Sequence, residues 1–153
     1  MLQRELGITF IHVTHSQDEA LALADHIVLM KDAVIEQAGT PHQLFNEPKT
    51  EFVARFMGGH NVLNVNQQMS ALRTDKTNLQ PAGSGQSGIS GTVAHVEYLG
   101  RSVNVSVLDE NKDSIIASLS DEQYQAQRWR PGDEVIINWS AADLHTVQLS
   151  QSI

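Results

Sequence analysis

The chain has 153 residues, with 10 Lys plus Arg against 18 Asp plus Glu, no Cys, 41% hydrophobic residues and a formal net charge of −8. That composition describes one or two small folded domains, and the lack of cysteine excludes disulfide scaffolds, thiolate zinc sites and cysteine nucleophiles. The acidic balance argues against nucleic acid as a partner, and the sequence contains neither an apolar run of about 18 residues nor an export-signal pattern.

Composition divides the chain. Residues 1–60 hold all four Phe, whereas 61–153 hold both Trp and both Tyr. The first stretch has 4 basic and 8 acidic residues and the second 6 and 10, so each contributes −4. Two units are expected, 1–60 and 61–153.

In chain order, Ile8-Thr9-Phe10-Ile11-His12-Val13-Thr14 is β-branched and aromatic, bounded by Gly7 and by polar residues, and predicts a strand. Ser16-Gln17-Asp18-Glu19 fits a capping box, with the Ser hydroxyl accepting from the Glu19 N–H and the Glu carboxylate reaching back to the Ser16 N–H. Ala20, Leu21, Leu23 and Ala24 give the following helix an apolar stripe. Ile27-Val28-Leu29-Met30 is a continuous apolar run, expected of a strand covered on both faces, and Val34-Ile35-Glu36-Gln37 is its antiparallel return. Thr40-Pro41-His42-Gln43 marks a second helix start. A third helix should carry Phe52, Val53, Phe56 and Met57 on one face and stop at Gly58-Gly59, and Phe52, Phe56 and Met57 read most simply as core residues joining the first unit to the second.

Beyond residue 60 helical periodicity fades. Strands are expected near 61–66, 89–98, 102–108, 113–119, 133–139 and 144–149, a weaker one near 69–74, and a short helix capped by Ser120 at 121–127. Pro81 to Gly88 reads as a flexible loop. Strands at this density predict a small closed or partly closed barrel. The fold class is therefore α+β, mostly β. Tyr98, Tyr124, Trp129 and Trp139 are the aromatics a nucleic-acid-binding barrel would stack on, but the scattered cations supply no phosphate track.

Thr14-His15-Ser16-Gln17-Asp18-Glu19-Ala20, followed by Leu23-Ala24-Asp25-His26-Ile27-Val28-Leu29-Met30, resembles the end of an ATP-binding cassette transporter ATPase. The resemblance continues through Ile35 to Pro41, Phe52 to Gly58 and Asn61-Val62-Leu63, in the order found in importer ATPases that carry a transport-associated OB (TOBE) domain. Ser90-Gly91-Thr92-Val93, Glu97-Tyr98-Leu99-Gly100 and Arg130 to Val135 are similar to segments of that domain. The resemblance implies a partial α/β remnant of a P-loop nucleotide-binding domain over 1–60 and an OB-like β-barrel regulatory domain over 61–153.

It also implies that His15 is the switch histidine, contacting the ATP γ-phosphate and helping to position the attacking water in the parent enzyme. An imidazole at the mouth of a sheet suits that task because phosphoryl transfer depends mostly on positioning and electrostatics. The sequence contains no G-x-x-x-x-G-K-[ST] loop, no Leu-Ser-Gly-Gly-Gln-like segment and no apolar run ending in Asp-Glu. ATP and Mg are thus expected for the parent enzyme, and neither cofactor nor ATPase activity for this chain alone. Implied partners are a second ATPase copy, two membrane permease subunits and a solute-binding protein, with the cytoplasmic ATPases peripheral on the inner face of the plasma membrane. Phe56 to Leu63 and the barrel look similar to spermidine and putrescine importers, with iron, sulfate, molybdate and sugar importers open. The alternative is a stand-alone regulatory, dimerisation or small-ligand-binding OB module.

Within the resemblance, Ser16 stands where the family has Asp, and Ala33 where it has Gly, a hairpin position at which Ala would be strained by about 1 kcal/mol. His12 and His15, three apart on a strand, would point to opposite faces, which disfavours a shared metal ion. Gln17, Asp18 and Glu19 read as a capped, solvated helix start. The strand through Phe10 is expected to lack its sheet neighbours, so that dimerisation, strand exchange or disorder of residues 1 to ~30 should follow.

Overall fold

A computed structural model describes residues 7–150. The order is helix α1 (Gln17–Leu23), strands β1 (Ile27–Lys31) and β2 (Val34–Gly39), and helices α2 (Pro41–Asn46) and α3 (Glu51–Met57). Strands β3 (His60–Val65), β4 (Gln68–Arg73), β5 (Asn78–Pro81), β6 (Ile89–Tyr98), β7 (Ser102–Asp109) and β8 (Ser114–Ser120) follow. Helix α4 (Asp121–Ala126) and strands β9 (Glu134–Asn138) and β10 (Leu144–Thr146) complete it. The fold is mostly β, with a curled half-barrel of OB-like type.

The helix starts follow their local chemistry. Thr40 and Ser120 each accept from the backbone three residues on, while Gln43 and Gln123 return the bond to the cap N–H. The box expected at α1 is half formed. Ser16 accepts from the Glu19 N–H, but Ser16 N–H donates to Thr14 Oγ1 at 3.0 Å. The Glu19 carboxylate accepts from the Thr14 hydroxyl at 2.7 Å instead, so the residue two before the cap has taken its place.

β1 and β2 form the predicted hairpin, Ile27 opposite Gly39 and Lys31 opposite Val34, with a register shift after Leu29. Asp32 and Ala33 at its turn have φ of +50° and +62°, so Ala33 does occupy a left-handed position that suits glycine. Two sequence readings fail in this unit. Ile27 and Leu29 are buried but Val28 and Met30 are exposed, so the apolar run of β1 is covered on one face only. Residues 8–14 make no strand ladder, and Phe10, Ile11 and Val13 are 67%, 90% and 92% exposed. A strand exists only by pairing, and the described residues offer this segment no partner. Leu23 also points outward, leaving Ala20, Leu21 and Ala24 to pack on the core of Ile27, Leu29, Leu44, Val53 and Met57.

The barrel consists of a three-stranded sheet, β10-β4-β3, and a five-stranded sheet, β5-β9-β6-β7-β8, antiparallel throughout. Alternation places Val103, Val105 and Val107 of β7 and Ile115, Ala117 and Leu119 of β8 inside. They meet Leu72, Leu79, Val93, Val135, Ile137 and Trp129 in one core. Gly91 allows close strand approach there, since a Cβ would come within 2.5 Å of Val107.

Asn61, buried on β3, joins the two sheets. Its amide donates to the Ile116 carbonyl and accepts from the Ile116 N–H, both at 2.8 Å, and also donates to Thr77 Oγ1 at 3.1 Å. One side chain thereby satisfies a backbone pair on the outer edge of β8, where no further strand lies. β5 was not anticipated from sequence: its four residues follow a 3-10 turn and end at Pro81, which an edge strand tolerates. The strand expected at 144–149 stops at Thr146. Val147 still donates to Met69, but Gln148 turns away to pair with the backbone beside Thr50.

Candidate functional site

His15 occupies the bend between the extended segment and α1, and its side chain is exposed. Its turn is fixed from either side, by Thr14 accepting from Ser16 N–H and by Ser16 capping the helix. His12 Nε2 lies 3.7 Å from Glu19 Oε2. The Thr14 hydroxyl first, and His12 second, hold the Glu19 carboxyl below its ordinary 4.5. This gathers two imidazoles and a carboxylate around a helix start. With His12 and His15 off any strand, the opposite-face argument for that pair does not apply. An exposed imidazole on a fixed turn can donate a hydrogen bond, but phosphoryl transfer needs further positioned groups around it.

The second functional region is the junction between the units, which sequence reasoning assigned to Phe52, Phe56 and Met57. Those three pack on the first unit's own core, with Phe52 and Phe56 ring centroids 5.7 Å apart. Of the buried apolar side chains on α3, Ala54 is the one clustered with the barrel, fully buried with Ala71 and Val147. Backbone bonds reinforce it, Gln148 N–H to Lys49 O and Glu51 N–H to Gln148 O, both 2.9 Å. Buried Gln37 pins the loop between α2 and α3, donating to Glu47 O at 3.0 Å and accepting from Lys49 N–H at 2.9 Å.

A polar and aromatic cluster completes the junction. His60 Nδ1 donates to Gly58 O at 2.7 Å, and its ring lies 5.1 Å from Phe45, tilted by 59°. Arg73 sits 5.4 Å from the Phe45 ring centroid, donates to Asn46 Oδ1 at 2.6 Å, and grips Asp75 with two bonds of 2.9 and 2.6 Å. That fork holds the Asp75 carboxyl below its ordinary range. Burial, the largest influence, pushes His60 below its ordinary value. Sequence reasoning missed the cluster because its members are scattered from Phe45 to Asp75; the one local signal was Gly58-Gly59-His60, a polar ring directly after a helix stop.

The barrel's aromatics make no common platform. Trp129 is in the core, Tyr124 donates to its carbonyl at 3.4 Å, and Tyr98 is exposed and bonded to Asp121. Open grooves lie on the surface of the described residues. One, over Gly91, is rimmed by Asp109, Glu110 and Glu134; another lies between Glu47, Lys49, His145 and Gln148.

The TOBE domain family model matches residues 70–147, from the middle of β4 to just past β10. The spermidine/putrescine import ATP-binding protein PotA of Bacillus thuringiensis (strain Al Hakam) is 35% identical over 93% of this chain and 44% of its own length. PotA of Spiroplasma citri is 32% identical over 95% of this chain and 47% of its own. PotA of Vibrio parahaemolyticus is 60% identical over 64 residues, 42% of this chain and 17% of its own. The chain thus spans less than half the length of these curated relatives. Among solved structures, the cytoplasmic molybdate-binding protein ModG with molybdate bound aligns over 52% of this chain and 61% of its own, at 16% identity and a TM-score of 0.46, too slight a likeness to bear on fold or ligand. The chain belongs to the TOBE domain family and matches, over nearly all its length, the C-terminal TOBE-bearing part of ABC importer ATP-binding proteins.

Proposed function

We propose that this chain is the C-terminal regulatory region of the ATP-binding subunit of a polyamine importer, residues 1–60 continuing a nucleotide-binding domain and 61–153 forming the TOBE barrel. Relatives named for spermidine and putrescine import, aligned over 93% of the chain, carry this reading. In the intact subunit His15 would face the γ-phosphate of ATP bound with Mg, held by segments outside this sequence. Its exposure on a turn fixed by Thr14 and Ser16 supports that role. The working assembly would pair two such subunits at the cytoplasmic face of the membrane, beneath two permease subunits supplied by a solute-binding protein. Among the described residues no helix is long and apolar enough to cross a membrane, in keeping with a peripheral position.

Alone, the chain would not hydrolyse ATP. Titration of the purified chain with fluorescent ATP and Mg is expected to give no saturable binding; micromolar saturable binding would overturn the inactivity. The coding sequence upstream of Met1 decides the larger claim. A phosphate loop and signature segment in frame are expected there, whereas an in-frame stop without them would favour a stand-alone regulatory module, the reading to which the complete barrel core lends weight.

A further inference from the structure

We propose that His60 is a proton-sensitive latch that holds the end of α2 against the three-stranded sheet of the barrel, tight when the imidazole is neutral and loosened when it is protonated. The ring fills the angle between the units. Gly58 and Gly59, with φ of +70° and +68°, bend the chain between α3 and β3 and bring the Gly58 carbonyl onto Nδ1. Phe45, from α2, covers the ring, and Arg73, from β4, approaches Phe45 and binds Asn46 at the end of α2. His60 Nε2 is buried and, as a neutral acceptor, makes no hydrogen bond among the described residues; the Phe45 carbonyl could serve it only if it carried a proton.

These contacts select one protonation state. With Nδ1–H committed to Gly58, the neutral ring leaves Nε2 as a bare acceptor, the form that loses least on burial. A second proton would place a cation on a half-buried ring whose Nε2 is itself buried, near the Arg73 guanidinium. The charged groups facing the ring are Arg73, at the end of β4, and Asp75, in the following turn; α2 contributes the Phe45 ring and carbonyl, and α3 the Gly58 carbonyl. Asp75 and the two carbonyls favour the proton, and Arg73 and burial oppose it, burial being largest. Asp75 is already committed to Arg73 through both oxygens, which limits its pull on the imidazole. A depressed value in the docked state means that protons bind the released state more readily, so release rises as pH falls below about 6.5. The latch lies outside the His15 turn, so it rests on junction geometry and not on the proposed transport role.

The test is carried out on the whole chain by NMR. The His60 ring should titrate below the ordinary imidazole value. The Leu44 and Glu47 amides, which close α2 on Thr40 and Gln43, should exchange about tenfold faster at pH 5.5 than at pH 7.5 after correction for intrinsic rates. Val105 and Val107 amides, deep in the barrel, should show no such change. His60→Asn keeps a donor for Gly58 but cannot titrate, and His60→Phe keeps the ring contact with Phe45; each should abolish the pH dependence. If the wild-type α2 amides exchange alike at both pH values, or if His60→Asn retains the wild-type response, the latch is wrong.

Discussion

The two units meet the same problem, apolar strands with edges to hide, and only the barrel solves it within the described residues. In the barrel, alternation sends Val103, Val105 and Val107 inward, and Asn61 satisfies the edge of β8 at Ile116. In the first unit β1 hides Ile27 and Leu29 but exposes Val28 and Met30, and the segment through Phe10, Ile11 and Val13 pairs with nothing described. A β-branched run has strand propensity wherever it lies, but becomes a strand only against a partner. The half-barrel buries one continuous apolar core, whereas the first unit leaves Val28, Met30, Phe10, Ile11 and Val13 exposed.

The comparison is most sharply broken at Asn61. Asn61→Ala strands the Ile116 N–H and carbonyl, while the Thr77 hydroxyl loses the bond it accepts and keeps the one it donates to Arg73 O; it should cost about 3 kcal/mol in chemical denaturation followed by tryptophan fluorescence. Gln37→Ala acts on the other side, freeing Lys49 N–H and Glu47 O. It should cost about 2 kcal/mol locally, seen as faster amide exchange at Lys49 while β7 is unchanged. Equal loosening of β7 would mean that the units do not respond separately.

Ala33→Gly relieves a left-handed residue and should stabilise the β1–β2 hairpin by about 1 kcal/mol, read from hydrogen exchange at Leu29 and Gln37. The smallest effect belongs to Glu19. Its carboxyl is held below the ordinary 4.5, so its support for α1 is present above that value and lost as pH falls through the lowered one. Glu19→Gln should flatten the acid-side shift of the Ala20 amide, whereas an unchanged shift would exclude Glu19 as its source.

Much of this was legible in the sequence because it depended on near neighbours. The Thr40 and Ser120 caps, the β1–β2 hairpin, the Gly58-Gly59 stop and most barrel strands follow from spacing and turn chemistry. Failures arose where the deciding partner was distant or missing. The strand at 8–14 had propensity without a neighbour, and β5 was too short for periodicity to register. On α3 the aromatic residues Phe52 and Phe56 pack on the first unit's own core, and the small Ala54 is the residue that packs on the barrel. His15 is singled out only by the order of residues around it, and the structure adds the Thr14–Glu19 bond that shapes its turn. The His60 cluster, assembled across β4 and α2, had no linear pattern to betray it.

Hydrogen exchange across the whole chain at neutral pH tests the central contrast most directly. The account predicts that amides of Val103 to Val107 and Ile115 to Leu119 are protected by about ten-thousand-fold or more, while those of Ile8 to Thr14 exchange near their intrinsic rates. Protection of Phe10 to Val13 to the level of β7 in the purified monomer would contradict it, because the first unit would then complete its own sheet.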